Sequence, residues 1–150
     1  MTVRSLLRTF RKLTRMNPRR RRLLLEVAAL TEAAHWLLMI CRFRKANVIL
    51  NSIARRILPG KATAAKVDLL WSLSSLSRKL GCTCLPRAMG AQALLRHYGY
   101  PAVLRIGATE MHGNFGAHAW VELEGEIVTG GPAEMVKQYV PFPEARLSVL

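Results

Sequence analysis

Two residue types in this chain could do covalent chemistry, cysteine and histidine, and one copy of each stands in a setting that suits it. Cys84 lies where a helix should open. Leu85, Ala88, Met89, Leu94, Leu95 and Tyr98 fall at helical spacing behind it, with Pro86 in the first turn and Gly99 just past the end. Free backbone N–H groups and the helix dipole stabilise negative charge at such a position. They favour a thiolate nucleophile and supply donors for an oxyanion. Arg87, one turn on, adds positive charge, whereas Cys82 lies in the preceding loop without that help. His118 sits in Ala117-His118-Ala119-Trp120-Val121-Glu122. On a strand, alternation sets His118, Trp120 and Glu122 on one face and Ala119, Val121 and Leu123 on the other. A strand holds an imidazole as rigidly as a general base requires, and Trp120 beside it would exclude water. A cysteine opening a helix, followed by a histidine on a later strand, is the order of a nucleophile and its base.

Plainer readings compete. Both cysteines could be buried apolar residues, and a lone histidine is more often structural than catalytic. Cys82, Cys84, His112 and His118 would make four zinc ligands, but Cys-x-Cys is tighter than the usual ligand gap. No metal or other cofactor is expected. Three cysteines, Cys41 included, do not make a disulfide framework, and a Cys-x-Cys pair is badly placed for a mutual bond. A reducing, cytoplasmic setting is the simpler expectation.

The elements that must carry these residues follow from periodicity. Leu6, Leu7, Phe10 and Leu13 among Arg and Lys predict a basic amphipathic helix over 3–15, broken at Asn17-Pro18. A long, largely apolar helix is expected over 19–42, a shorter one over 46–57, and a fourth over 62–80, where Val67, Leu69, Leu70, Leu73, Leu76 and Leu80 are the apolar positions. After the 85–98 helix, residues 102–106, 118–123 and 126–129 read as strands, the last two joined as a hairpin through Glu124-Gly125. Helices first and a small antiparallel sheet after them predict an α+β fold. Residues 1–60 are expected to form a basic helical region and 61–150 the core, together one compact unit.

The formal net charge is +14 over 150 residues, and it is unevenly placed. Residues 1–22 hold Arg4, Arg8, Arg11, Lys12, Arg15 and the run Arg19 to Arg22 with no acid, while residues 101–150 hold six Glu against Arg105, Lys137 and Arg146. Such asymmetry speaks about partners rather than fold. The basic end suits an acidic protein or peptide, a membrane or a nucleic acid. No aromatic interleaving or nucleic-acid motif supports the last, so none is expected. The apolar run 23–40 is the one transmembrane candidate, but Glu26, Glu32 and His35 interrupt it. A charge at a helix centre costs about 2.5–3.5 kcal/mol in hydrocarbon, so no span is expected. A signal peptide is not evident either.

The blocks Cys84-Leu85-Pro86-Arg87-Ala88, Leu94-Leu95-Arg96 with Gly99, Leu104-Arg105-Ile106-Gly107, and Ala117-His118-Ala119-Trp120-Val121-Glu122 with Gly125 resemble the lasso-peptide leader peptidases. That family lies within the transglutaminase-like superfamily, whose core is papain-like. The resemblance covers about residues 65–135, and the chain is similar to the split form, which lacks a fused recognition domain. It implies a cysteine peptidase with Cys84 as nucleophile and His118 as base. It implies three partners: a precursor peptide, a separate leader-recognition protein and an ATP-dependent macrolactam cyclase. The family usually places a carboxylate about a dozen residues after the histidine. Here that place is Gly130, so either Glu134, Glu126, Thr129 or a backbone carbonyl substitutes, with Glu134 favoured as third member, or the third member is dispensable or absent, which would leave a slower enzyme. Trp120 and Trp71 are candidates to line the substrate pocket. A non-catalytic binding module of the same fold, or a transglutaminase or acyltransferase, are the alternatives.

Overall fold

The structure is a computed structural model that describes residues 16–58, 64–77, 83–111 and 114–143. The helix expected over 3–15 lies outside the described residues. The chain that follows forms helices α1 (Pro18–Ile40), α2 (Phe43–Ile57), α3 (Lys66–Ser77) and α4 (Cys84–His97). Strands β1 (Ala102–Met111), β2 (Asn114–Leu123) and β3 (Glu126–Thr129), a short helix α5 (Ala133–Val136) and strand β4 (Val140–Pro141) complete it. The fold is α+β, with a four-stranded antiparallel sheet in the order β3-β2-β1-β4.

Each boundary has a local cause. Pro18 opens α1 as its first residue, and the Asn17 side chain accepts from the Arg19 N–H at 2.9 Å. The basic first turn opposes the helix dipole. Two arginines of the Arg19 to Arg22 run are nevertheless tied to the fold from its surface: Arg20 pairs with Asp68 at 2.8 Å and stacks 4.9 Å over the Trp71 ring, and Arg22 pairs with Glu26 at 2.7 Å. The run is therefore not simply a solvated stretch. Between β2 and β3 the chain reverses through Glu124 (φ 54°) and Gly125 (φ 83°). Two successive residues at positive φ make the hairpin turn that matches strand twist.

Helix α4 is the element on which the others pack. From Ala88 to Leu95 every residue is buried, so this helix is enclosed all round. Helices α1 and α2 cover it, and β1 and β2 pack against it. Leu23, Val27, Leu30 and Ala34 of α1, Ala46, Leu50 and Ala54 of α2, and Ala102, Leu104, Ala119 and Val121 of the sheet join one continuous apolar core with it. That core runs across residue 60. Helix α1 is long and apolar enough to cross a membrane by length and composition, yet its Leu23–Ala34 face is buried against α4.

Gly90 sets the spacing of α1 on α4. A Cβ there would lie 2.8 Å from Thr31 Oγ1 and 2.9 Å from the Thr31 backbone nitrogen. Gly90→Ala would gain about 1 kcal/mol in helix propensity but forces overpacking that costs about 1–3 kcal/mol. The variant is expected to unfold at lower denaturant concentration than the wild type, against the direction propensity alone predicts.

A polar tie sits at the far end of the same pair. Glu26 is 7% exposed, and it accepts from Arg22 and from the Tyr98 hydroxyl at 2.7 Å each. Burial, then the Glu26 carboxylate, push the Tyr98 hydroxyl from its ordinary 10 up to about 12. A raised folded-state value means the contribution is complete below pH 10 and is lost as pH climbs through 12. The stability advantage of wild type over Tyr98→Phe should therefore shrink between pH 10 and 12 in denaturant titrations, and stay constant from pH 7 to 9.

Candidate active site

Cys84 is the first residue of α4 and carries a half-buried free thiol. The N-cap residue Thr83 makes no side-chain capping bond, and no acid stands in the first turn. Backbone donors at this end of the helix are therefore not taken by a cap side chain, apart from Pro86, which has none to offer. Cys82 and His112 lie outside the described residues, and among those described no cluster of three or more metal-ligating side chains occurs.

His118 lies mid-strand on β2, opposite Gly107 of β1. Alternation puts its ring on the face shared with Trp120 and Glu122, while Ala119, Val121 and Leu123 are buried on the other. Its ring is held on several sides. Nε2 lies 2.6 Å from the Gly130 carbonyl oxygen. A carbonyl only accepts, so Nε2 carries the proton and Nδ1 is left as the basic nitrogen. The Trp120 ring lies nearly parallel at 6.4 Å, and the Tyr139 ring is 5.1 Å away on the other contact.

Trp120 is itself fixed. It is 3% exposed, and its indole Nε1 donates to Glu122 Oε1 at 2.9 Å while Arg105 Nε donates to Glu122 Oε2 at 3.1 Å. Glu122 thus acts as a brace for the tryptophan rather than for the histidine. Gly107 leaves room for the indole: a Cβ there would meet Trp120 Cη2 at 2.8 Å and the Val140 carbonyl oxygen at 2.7 Å.

The group at the other ring nitrogen of His118 is a main-chain carbonyl. Glu134, favoured from sequence as third member, is exposed on α5, and His118 Nε2 donates instead to the Gly130 carbonyl oxygen. The residue that looked like a gap in the pattern supplies the contact through its backbone. Gly130 has φ 118°, and a Cβ there would run into the Cβ of Trp120. A side chain at this position, carboxylate or not, thus conflicts with the Cβ and Cα of Trp120 on β2. Trp71, the other pocket candidate, is on α3 beneath the Arg20 guanidinium, while Trp120 flanks the histidine. Tyr139 has no counterpart in the sequence reading. It arrives from the short turn between α5 and β4, elements with no periodic signal of their own.

A family model of the transglutaminase-like superfamily matches residues 27–143, most of the chain, and the chain belongs to that superfamily. Its members are usually cysteine proteases or acyltransferases. The match begins inside α1 and reaches past β4, so the upstream helices are part of the family's unit. No curated protein and no solved structure matches the chain.

Replacing Gly130 tests the arrangement of the site. Gly130→Ala is expected to cost about 1–3 kcal/mol in denaturant unfolding, since it forces a side chain into a left-handed conformation against Trp120. In 15N spectra of the wild type, the neutral His118 ring should carry its proton on Nε2 and none on Nδ1. The variant should lose that preference.

Proposed function

We propose that this chain is a cysteine peptidase that removes the leader segment from a ribosomally made lasso-peptide precursor. What carries the reading is the fixed His118 ring, with Nε2 committed to the Gly130 carbonyl and Nδ1 free to act as base, in a superfamily chain whose Cys84 opens the central helix. In the proposed reaction His118 Nδ1 takes the thiol proton. The Cys84 sulfur attacks the carbonyl carbon at the leader–core junction, and helix α4's first-turn N–H groups stabilise the oxyanion. The tetrahedral intermediate collapses as His118 gives its proton to the departing amine, which leaves the core peptide with a free N-terminus and the leader as a thioester. Water then attacks the thioester, His118 takes its proton, and the leader departs as a carboxylic acid with the thiol restored.

A separate leader-recognition protein would present the precursor, and an ATP-dependent cyclase would use the freed amine. The basic surface of the chain supports docking of such partners, and a cytoplasmic setting without a membrane span suits a reactive thiol. Trp120 would wall the cleft beside the base and keep water from the ring. An acyl-transfer reading shares every step up to the thioester and differs only in the acceptor.

The test mixes precursor, recognition protein and this chain and follows masses. Wild type should yield leader and core fragments. Cys84→Ala and His118→Ala should each lower the rate by at least about a thousandfold, the scale on which loss of a nucleophile or its base is felt. Added mass on an intact precursor in the presence of an amine would identify transfer instead, and equal cleavage by wild type and Cys84→Ala would sink the nucleophile assignment.

A further inference from the structure

A groove of about 280 Å³ lies between α2 and α4, away from Cys84 at the opposite end of α4. Its walls come from one face of α2, where Asn47, Val48, Asn51 and Arg55 recur at helical spacing, and from Ala93, Arg96 and His97 near the end of α4. Its charge is one-sided. Neither helix contains a single Asp or Glu, so nothing acidic on either one neutralises the guanidinium groups. Ordinary capping of the last helical turns explains why bases stand there, but it does not use up their donors. Arg96 spends Nε on the Ala102 carbonyl at 2.9 Å, and Arg55 makes a long 3.4 Å contact from one Nη to Ser52. A guanidinium has five N–H donors in one plane, so each retains a fork for a carboxylate.

The other walls suit a peptide. Ala93 is fully buried and floors the groove, and Val48 is 62% exposed at its rim, so together they offer an apolar bed for an aliphatic stem. Asn51 donates Nδ2 to the Asn47 carbonyl at 2.8 Å and to the Asn47 side chain at 3.1 Å, which leaves its own Oδ1 to accept a main-chain N–H. The volume is slightly below the range of about 300–1,000 Å³ typical of small-molecule pockets, and it fits side chains of a docked segment rather than a cofactor.

We infer that the α2–α4 groove binds an acidic peptide segment, with Arg55 and Arg96 gripping its carboxylates. The chain's charge of +14 attracts such a partner from a distance, and the groove gives it a specific seat. The site does not depend on the thiol chemistry, so it is tested in Cys84→Ala protein, where no turnover can blur binding.

Fluorescence anisotropy with a labelled peptide of alternating Glu and Ala, at about 0.15 M salt, reads the affinity. Arg55 is exposed, so Arg55→Glu should fold normally by circular dichroism. It should weaken binding by about tenfold or more, the scale of a lost charge-assisted bond. Arg56→Glu makes the same charge change one residue away, outside the groove, and should alter affinity by no more than about twofold. Equal losses in the two variants, or no peptide binding at all, overturn the proposal. Displacement of the peptide by inorganic phosphate or a short DNA oligonucleotide, with the same Arg55 dependence and higher affinity, assigns the groove to phosphate and also overturns it.

Discussion

The approach of α1 to α4 at Gly90 is the constraint on which the architecture depends. Because no Cβ intervenes, Thr31 sits against the α4 backbone, and the apolar stripe of α1 reaches the central helix along its length. Helix α4 is then enclosed, with α1 and α2 covering it and β1 and β2 packed against it. A helix buried on every side has little freedom to shift or rotate without disturbing several neighbours at once. Its amino end, where Cys84 stands, inherits that rigidity. A thiol on such a helix is held as firmly as an imidazole on a paired strand.

The histidine side shows how one close contact can displace a familiar solution. Trp120 is buried beside His118, and its indole is braced from Glu122 and Arg105. The Cβ and Cα of Trp120 occupy the space in which a side chain at position 130 would have to stand, so position 130 is a glycine and its carbonyl faces the imidazole. A carbonyl orients the ring and fixes its tautomer, as a carboxylate would. It carries no full charge, so it stabilises an imidazolium less. The consequence is a base set by geometry more than by an adjacent negative group.

Charge is handled differently in different parts of the molecule. In the Arg19 to Arg22 run of α1 two arginines are tied to Asp68 and Glu26, the second of these almost wholly buried. On α2 and at the end of α4 the bases have no acid on their own helices. The excess positive charge is thus gathered on a surface of the helical layer rather than spread over the sheet. Such an arrangement serves long-range attraction of an acidic partner.

Much of this was legible in the order of residues. Helical spacing and Asn17-Pro18 located α1, Glu124-Gly125 located the β2–β3 hairpin, and two-residue alternation put His118 with Trp120 on one strand face. These are local properties, set by backbone sterics and by which side of an element is apolar. The same locality explains what stayed hidden. Strands β1 and β2 run longer than their apolar segments because pairing with each other, not composition, carries Gly107 to Met111 and Asn114 to Ala117 into the sheet. Tyr139 reaches the imidazole, and the Gly130 carbonyl replaces a side chain, only because distant segments are folded over one another. A backbone carbonyl leaves no mark in a sequence, and whether position 130 has room for a carboxylate is decided by how closely the chain passes the Cα and Cβ of a residue ten positions earlier. Types and periods of residues determined the elements; packing between elements decided which atoms meet.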